Sequence, residues 1–284
     1  METQGFGEIV EGLRRATVEV NDGGRGGGSG IVWNAGGLIV TNAHVARTER
    51  ARVRLWDGRA FDATVEGRDA RRDLAALRVP AAGLPAAPPA DSDAVRPGQV
   101  VLAAGNPLGF IGALTTGVVH ALGVVRGLGR KEWVQSAIRL APGNSGGPLA
   151  DALGRIIGVN TMITGHGLAL AVPSNAVSRF LEGGRSAARA RLGVTVRPVR
   201  ARETPGLGLL VLELERGGPA ATASLTPGDV LITANGEPFD SPEDLADWVA
   251  NADGGVLRLE FLRQGHQGRR SAFVSLTARS TEAA

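Results

Sequence analysis

Short apolar runs follow one another from about residue 30 to residue 172, separated by turns rich in glycine and proline. Examples are Ile31-Val32-Trp33, Leu38-Ile39-Val40 and Val100-Val101-Leu102. Short runs at this spacing are typical of strands in an all-β barrel or sandwich. A helical pattern follows at 174–181, where Ser174 is the expected N-cap. The pattern predicts a mainly β domain that ends with this helix.

The pattern changes after residue 192. Strands are predicted at 230–234, 256–261 and 272–276, with a short helical turn at 219–223 and a longer helix beginning at Ser241. Ser241 can cap that helix, and Pro242 suits its first position. These elements predict a small α+β unit. The expected organisation is therefore a first domain at 1–182, a solvated linker at 183–191 and a second domain at 192–284.

The amino-acid composition limits the kinds of catalytic and binding chemistry that the chain can use. The chain has 284 residues and no cysteine, which excludes disulfide bonds, a thiolate nucleophile and a cysteine-ligated zinc site. The formal net charge is only +3, so nucleic-acid binding is not indicated. No apolar stretch reaches the roughly 18 residues that would span a bilayer. Charged residues interrupt the apolar pattern of residues 1–20, so no export signal is predicted and the chain as written is expected to be cytoplasmic.

The segment Gly143-Asn144-Ser145-Gly146-Gly147-Pro148 places a serine in a glycine-rich loop. Such a loop can aim several backbone N–H groups at one point, as an oxyanion hole for acyl transfer requires. The segment also matches the nucleophile elbow of α/β-hydrolases, but an elbow needs a helix after the serine. Pro148 and the apolar run that follows predict a turn and a strand instead. The downstream acid and histidine candidates, Asp229 and His266, fall in the second domain, so the elbow interpretation is disfavoured.

Two residues upstream of Ser145, His44 and Asp73, complete a different set of catalytic residues. His44 follows the apolar strand at 38–41, where a general base can be held rigidly, and Asp73 begins the next apolar run. A carboxylate at that position can orient the imidazole. The order His44, Asp73, Ser145 is that of the chymotrypsin-type triad. The residues therefore predict nucleophilic catalysis by a serine.

Four segments of the chain form one ordered set: Thr41-Asn42-Ala43-His44-Val45, Asp73-Leu74-Ala75-Ala76-Leu77, Gly105-Asn106-Pro107-Leu108-Gly109 and Gly143-Asn144-Ser145-Gly146-Gly147-Pro148-Leu149. Together they resemble the conserved blocks of the HtrA/Deg family. This resemblance implies a trypsin-like double β-barrel protease followed by one or two PDZ domains, and residues 192–276 resemble a single PDZ domain. The family is expected outside the cytoplasm, in contrast with the location predicted from the N-terminus.

The resemblance assigns roles within the triad. It implies that Ser145 is the nucleophile, His44 the general base and acid, and Asp73 the residue that orients His44. The oxyanion hole would be formed by Gly143, Asn144 and Ser145, with the N–H groups of Gly143 and Ser145 as the expected donors. Neither a metal nor a cofactor is required by this chemistry.

The resemblance also implies two binding surfaces. The wall of the specificity pocket would be formed by Leu168, Ala169 and Leu170, which predicts cleavage after small or medium aliphatic residues. The second domain would bind hydrophobic peptide C-termini, with a backbone loop for the carboxylate and the helix after Ser241 for the side chains. The residues predicted for this surface are Arg191, Leu192, Gly193, Val194, Leu245, Trp248 and Val249.

Three functions remain open from the sequence. The first is an ATP-independent endopeptidase of protein quality control that acts on unfolded polypeptides. The second is a scaffold or holdase that captures polypeptide termini and cleaves little, and the third is a regulatory protease with one partner. The presence of all three catalytic residues disfavours the second as the sole function. The resemblance further implies a homotrimer.

Overall fold

The computed structural model describes residues 5–23, 27–125, 128–129, 131–164, 167–183, 191–200, 206–252, 255–265 and 268–276. The chain forms two compact units. The first contains two closed six-stranded β-barrels, and the second contains a β-sheet with two helices. The predicted mainly β fold is therefore confirmed. The predicted linker at 183–191 lies largely outside the described residues, and the domain boundaries stay predictions.

The first barrel has the strand order β1-β2-β3-β6-β5-β4. Successive side chains of a strand point to opposite faces, so apolar and polar residues alternate along it. In β4, Ala51 and Val53 are buried and the three arginines beside them are exposed. A helix, α1, precedes the barrel, and Arg14 and Arg15 lie over the Trp56 ring at 5.4 and 4.9 Å from its centroid. The elements are α1 (Phe6–Ala16), β1 (Thr17–Asn21), β2 (Gly27–Val32), β3 (Leu38–Thr41), β4 (Arg50–Arg54), β5 (Ala60–Asp69) and β6 (Leu74–Arg78).

The second barrel has the strand order β10-β11-β12-β9-β8-β7 and is followed by α2. The predicted helix at 174–181 is confirmed as α2. The Ser174 hydroxyl donates to the Ala90 carbonyl at 2.6 Å, which ties the start of α2 to the segment before β7. The elements are β7 (Val100–Gly105), β8 (Ala113–Val124), β9 (Glu132–Ala137), β10 (Pro148–Asp151), β11 (Ile156–Ile163), β12 (Ala169–Pro173) and α2 (Ser174–Gly183).

The second unit is a sheet of order β13-β14-β15-β17-β18, with β16 added to β15. The helix predicted after Ser241 is confirmed, and the Asp244 carboxylate accepts the Ser241 N–H at 2.9 Å. Asp229, with a side chain 1% exposed, is bound by two Arg263 nitrogens at 2.7 Å each. The elements are β13 (Val194–Arg200), β14 (Leu207–Leu214), α3 (Pro219–Thr222), β15 (Val230–Ala234), β16 (Glu237–Pro238), α4 (Pro242–Asn251), β17 (Val256–Leu262) and β18 (Arg270–Ser275).

Across the described residues, every helix is too short or too polar to cross a membrane.

Candidate active site

The side chains of His44 and Asp73 meet at one edge of the first barrel. His44 follows β3 and Asp73 precedes β6, and these strands are paired with Thr41 opposite Ala75. The His44 ring Nδ1 lies 2.8 Å from Asp73 Oδ2. The His44 backbone N–H donates to Asp73 Oδ1 at 3.0 Å. The carboxylate therefore holds both the backbone and the ring of His44.

Asp73 occupies a strained and largely buried position. Its φ is +55°, a conformation that is unfavourable for residues other than glycine, and its side chain is 16% exposed. The Asn42 amide donates to the Asp73 carbonyl at 2.8 Å and supports this backbone. Burial alone would raise the pKa of Asp73, but hydrogen bonds from His44 and Thr161 lower it below the ordinary value. An ionised carboxylate can only accept, so a neutral His44 ring carries its proton on Nδ1 and presents Nε2 as an acceptor.

The loop between β9 and β10 carries Ser145 and is attached to β2 through Ser29. The Ser29 hydroxyl donates to the Gly143 carbonyl at 2.7 Å, and the Ser29 N–H donates to the Ser145 carbonyl at 2.7 Å. Gly146 has a φ of +84°, and a Cβ at this position would overlap the Ser29 carbonyl oxygen and the Thr41 hydroxyl. The loop can therefore approach β2 only because residue 146 is glycine.

Thr161, in β11, contacts both Ser145 and Asp73. The Ser145 hydroxyl donates to the Thr161 backbone carbonyl at 3.0 Å. The Thr161 hydroxyl donates to Asp73 Oδ2 in a short hydrogen bond. Among the hydrogen bonds within the described residues, none joins Ser145 to His44. The structure thus connects the three predicted residues through Thr161, with the Ser145 hydroxyl directed at a carbonyl and not at the imidazole.

Two N–H groups of the serine loop are available as donors. The Asn144 N–H donates to the Ala141 carbonyl at 3.0 Å, which closes a turn. Within the described part of the chain, no hydrogen bond uses the N–H of Gly143 or of Ser145. Two such donors, one on each side of Asn144, can stabilise an oxyanion. Of the three residues predicted for the hole, Asn144 therefore shapes the loop without offering its own N–H.

An open groove of about 510 Å³ lies next to the serine loop. Leu168 lines it, in keeping with the sequence-based interpretation. Ala169 and Leu170 are 1% and 0% exposed and are not part of the lining, and Ala169 packs in the core of the second barrel. Arg139, which the sequence interpretation did not include, is part of the lining. The other lining residues are Ala137, Ile138, Leu140, Ile163 and Gly167.

Comparison with known proteins gives a consistent assignment. The family model of the trypsin-like peptidase domain matches residues 28–159, and that of the PDZ domain matches residues 210–263. A probable periplasmic serine endoprotease, DegP-like, of Pseudomonas savastanoi pv. phaseolicola is 35% identical over 266 residues, which are 87% of this chain and 55% of that protein. An HtrA-type protease, AlgW, solved with a tripeptide, is 30% identical with a TM-score of 0.71, and the match covers 98% of both chains.

The chain belongs to the HtrA/Deg family of trypsin-like serine proteases. A further member of similar structure is the serine endoprotease from Yersinia pestis, with 28% identity, a TM-score of 0.71, and coverage of 99% of this chain and 100% of that one. The chain spans about half the length of the curated relatives that it matches. The second unit is a PDZ domain, as the resemblance implied.

The loop predicted to bind a peptide carboxylate precedes β13 of this PDZ domain. The Leu192 carbonyl accepts the Ala220 N–H at 3.0 Å, and the Gly193 carbonyl accepts the Glu215 N–H at 2.9 Å. Both carbonyls are thus bound within the domain. No hydrogen bond within the described residues uses the N–H of Leu192 or of Gly193. Gly193 has a φ of +72°, and a Cβ there would lie 3.2 Å from a Glu215 carboxylate oxygen.

The other predicted peptide contacts differ in exposure. Leu245 and Val249 on α4 are each 4% exposed and belong to the core of the PDZ domain. Trp248 packs partly against this core and retains some exposed surface. Arg191 is exposed, whereas Val194 begins β13 and is partly buried. A peptide beside β13 could therefore contact Trp248 more readily than the other two residues of α4.

Sequence reasoning missed the residues that support the site through backbone contacts. Ser29 holds the serine loop, and Thr161 joins Ser145 to Asp73. Neither residue lies in one of the segments that carry the family resemblance. Thr161 follows the run of apolar residues in β11, and a threonine there is unremarkable in a sequence. Among the described residues, no group of three or more metal-ligating side chains is arranged to hold a metal ion.

Proposed function

We propose that this protein is a serine endopeptidase in which His44, Asp73 and Ser145 act as the catalytic triad. The observation that supports this proposal is the coincidence of three features at one site. Asp73 binds the His44 ring at 2.8 Å, the Ser145 hydroxyl is linked to the same carboxylate through Thr161, and two free N–H donors lie in the serine loop. These are the base, the nucleophile and the oxyanion donors that acyl transfer needs.

The chemistry follows from the positions of the donors and acceptors. The Ser145 hydroxyl rotates from the Thr161 carbonyl toward His44 Nε2, which takes the proton as the oxygen attacks a peptide carbonyl. The N–H groups of Gly143 and Ser145 stabilise the oxyanion that forms. His44 then gives its proton to the leaving amine as the peptide bond breaks. Water hydrolyses the acyl-enzyme in the second half of the reaction, again with His44 as the base, and no cofactor or nucleotide takes part.

Digestion of unfolded casein tests this proposal. Wild type should release peptides without ATP, and Ser145→Ala should release none, because the nucleophilic oxygen is gone. The matched control is Ser271→Ala, since Ser271 is exposed on β18 in the PDZ domain. That control should cleave casein at the wild-type rate. Retention of activity by purified Ser145→Ala would contradict the proposal, whereas cleavage lost in both variants would point to a general defect.

We further propose that the PDZ domain binds hydrophobic C-termini of peptides at the loop formed by Arg191, Leu192 and Gly193. The unused N–H groups of Leu192 and Gly193 can donate to a carboxylate, and β13 lies at the end of the sheet order, where a peptide can add as another strand. Trp248 on α4 offers apolar surface beside β13. The peptides that the solved AlgW structures contain are consistent with a peptide-binding role in this family.

Peptide binding to full-length Ser145→Ala tests the PDZ proposal without cleavage. A fluorescent peptide with a free C-terminal valine or leucine should bind, and the same peptide with an amidated C-terminus should bind more weakly, by about tenfold or more. Equal affinity for the two peptides would remove the carboxylate loop from this account. Assembly as a homotrimer and a role in quality control or in regulatory proteolysis stay predictions, and light scattering checks the first of them.

A further inference from the structure

The groove beside the serine loop has an unusual lining for a pocket that was expected to be aliphatic. Its walls are mainly apolar, with Ala137, Ile138, Leu140, Ile163 and Leu168. Among the described residues that line the groove, Arg139 is the only charged one. The expectation of cleavage after aliphatic residues rested in part on Ala169 and Leu170, which are buried and do not reach this space.

The groove is positioned to receive a side chain of the substrate next to the scissile bond. One wall is the segment 137–140, which leads directly into the turn that begins at Ala141 and carries Ser145. The opposite wall contains Ile163, two residues after Thr161, whose carbonyl accepts the Ser145 hydroxyl. Both walls therefore adjoin the nucleophile. In trypsin-like enzymes the pocket in this relation to the serine sets the preference for the residue before the cleaved bond.

Arg139 is fixed in its backbone but has no carboxylate partner in the described part of the chain. Its carbonyl accepts the Thr115 hydroxyl at 3.0 Å, which holds the segment in place, and its side chain is exposed. None of the ion pairs among the described residues includes it. By contrast, Arg54 and Arg78 bind Glu19 and Glu66 on neighbouring strands. An arginine in an apolar groove without an acid is a ready site for a carboxylate.

We propose that Arg139 gives this protease a preference for an acidic residue, above all glutamate, immediately before the scissile bond. Glutamate fits because its methylene groups can contact the apolar walls while its carboxylate reaches the guanidinium. Lysine and arginine would be rejected by like charge, and this rejection adds to the specificity. The inference rests on the proposed endopeptidase activity and specifies which substrates that site accepts.

Internally quenched peptides that differ only in the residue before the scissile bond test the inference. Wild type should cleave the glutamate peptide with a kcat/KM about tenfold above that of the glutamine peptide, since a hydrogen bond to a charged group is worth that much or more. Arg139→Gln should abolish this ratio, Arg139→Lys should retain part of it, and Arg139→Glu should favour the lysine peptide. The control is Arg50→Gln, an exposed arginine on β4 in the other barrel. Its glutamate-to-glutamine ratio should equal that of wild type.

The salt dependence of the cleavage ratio distinguishes recognition of the glutamate charge from recognition of its shape. The glutamate-to-glutamine ratio should fall as NaCl rises from 0.05 to 0.5 M, that is, over roughly a tenfold increase in ionic strength, because salt screens an exposed ion pair. A wild-type enzyme that cleaves after valine or alanine with no preference for glutamate over glutamine would overturn the inference and leave the endopeptidase proposal intact. So would an unchanged ratio in Arg139→Gln.

A binding measurement covers the case in which the isolated enzyme cleaves none of the peptides. C-terminally amidated peptides, which the PDZ loop should disfavour, are titrated into Ser145→Ala and followed by fluorescence anisotropy. The glutamate peptide should bind about tenfold more tightly than the glutamine peptide, and the difference should vanish when Arg139→Gln is added. Equal binding of the two peptides to Ser145→Ala would overturn the inference. Failure of all cleavage alone would count against the endopeptidase proposal only.

Discussion

Replacement of Thr161 by valine should weaken catalysis without removing any member of the proposed triad. The change deletes one hydroxyl and keeps a side chain of nearly the same shape. In the structure that hydroxyl donates to Asp73 Oδ2, the same oxygen that receives the His44 ring. The Thr161 backbone carbonyl, which accepts the Ser145 hydroxyl, is unaffected by the substitution. Thr161→Val therefore tests the positioning of Asp73 and His44 separately from the nucleophile.

The expected magnitude follows from the remaining donors. Asp73 keeps the His44 ring at 2.8 Å and the His44 N–H at 3.0 Å, so it stays ionised and oriented, though less tightly. A hydrogen bond to a charged group is worth about 1.5–3 kcal/mol, and part of that energy stabilises the His44–Asp73 pair. Loss of about 1.4 kcal/mol of transition-state stabilisation lowers kcat/KM by about tenfold. Stability should fall by about 1–2 kcal/mol at neutral pH.

The pH dependence of stability gives a second readout. A carboxyl whose pKa is lowered by folding stabilises the protein above the pKa of the unfolded state, and this stabilisation is lost as the pH falls through the folded pKa. The pKa of Asp73 is lowered in this way, in part by Thr161. Thr161→Val should raise it. The difference in Tm between wild type and variant should therefore be full above about pH 5 and should shrink as the pH falls below about 4.

The assay is kcat/KM on one quenched peptide, combined with thermal unfolding from acid to neutral pH. Thr161→Ser is the matched control, because it retains the hydroxyl and should keep most of the activity. A loss of activity in Thr161→Val that is as complete as that of Ser145→Ala would refute the reasoning, since positioning alone cannot account for it. Equal losses in the serine and valine variants, or none in either, would also refute it.

Three further predictions concern the backbone, the PDZ core and the carboxylate loop. Gly146→Ala should abolish activity and lower the Tm, because its Cβ would overlap the backbone of β2, whereas Gly58→Ala, with the same sign of φ but open space, should cost only about 1 kcal/mol. Asp229→Asn should destabilise the PDZ domain by about 3 kcal/mol in urea unfolding, since it leaves a buried ion pair with Arg263 broken. Glu215→Gln should tighten binding of a peptide with a free C-terminus by about two- to fivefold, and should leave an amidated peptide unchanged, because it removes a like charge beside Gly193.

The fold and the contact between His44 and Asp73 were predictable because both residues lie at strand ends. His44 follows β3, and β3 is a run of buried apolar residues whose end the sequence marks clearly. In the same way, Ser241 and Pro242 marked the start of α4, which begins at Pro242. Short strands, turn residues and helix caps depend on residues that are close together in the chain, so a single sequence is enough to predict them.

The pocket was less predictable because it depends on which side of a strand faces outward. All five residues of β12 are buried, so both faces of this strand are covered by other parts of the protein. The interpretation of Ala169 and Leu170 as a pocket wall came from the family resemblance, which does not show how deeply each residue of this strand is buried. Leu168, just before β12, is partly exposed and lines the groove. The opposite wall, with Arg139, lies on a different segment that only the closed barrel brings near.

Thr161 was unpredictable for a more specific reason, which also explains its position. The pairing of β11 with β12 shifts register between Asn160 and Met162, so Thr161 is the extra residue of a β-bulge. A bulge re-aims a side chain and frees a backbone group that a regular ladder would use. Here the side chain reaches Asp73 and the carbonyl reaches Ser145. The pattern of apolar and polar residues in β11 is the same with or without a bulge. The contacts of Thr161 with Asp73 and Ser145 therefore depend on the register between β11 and β12, and a single sequence does not show that register.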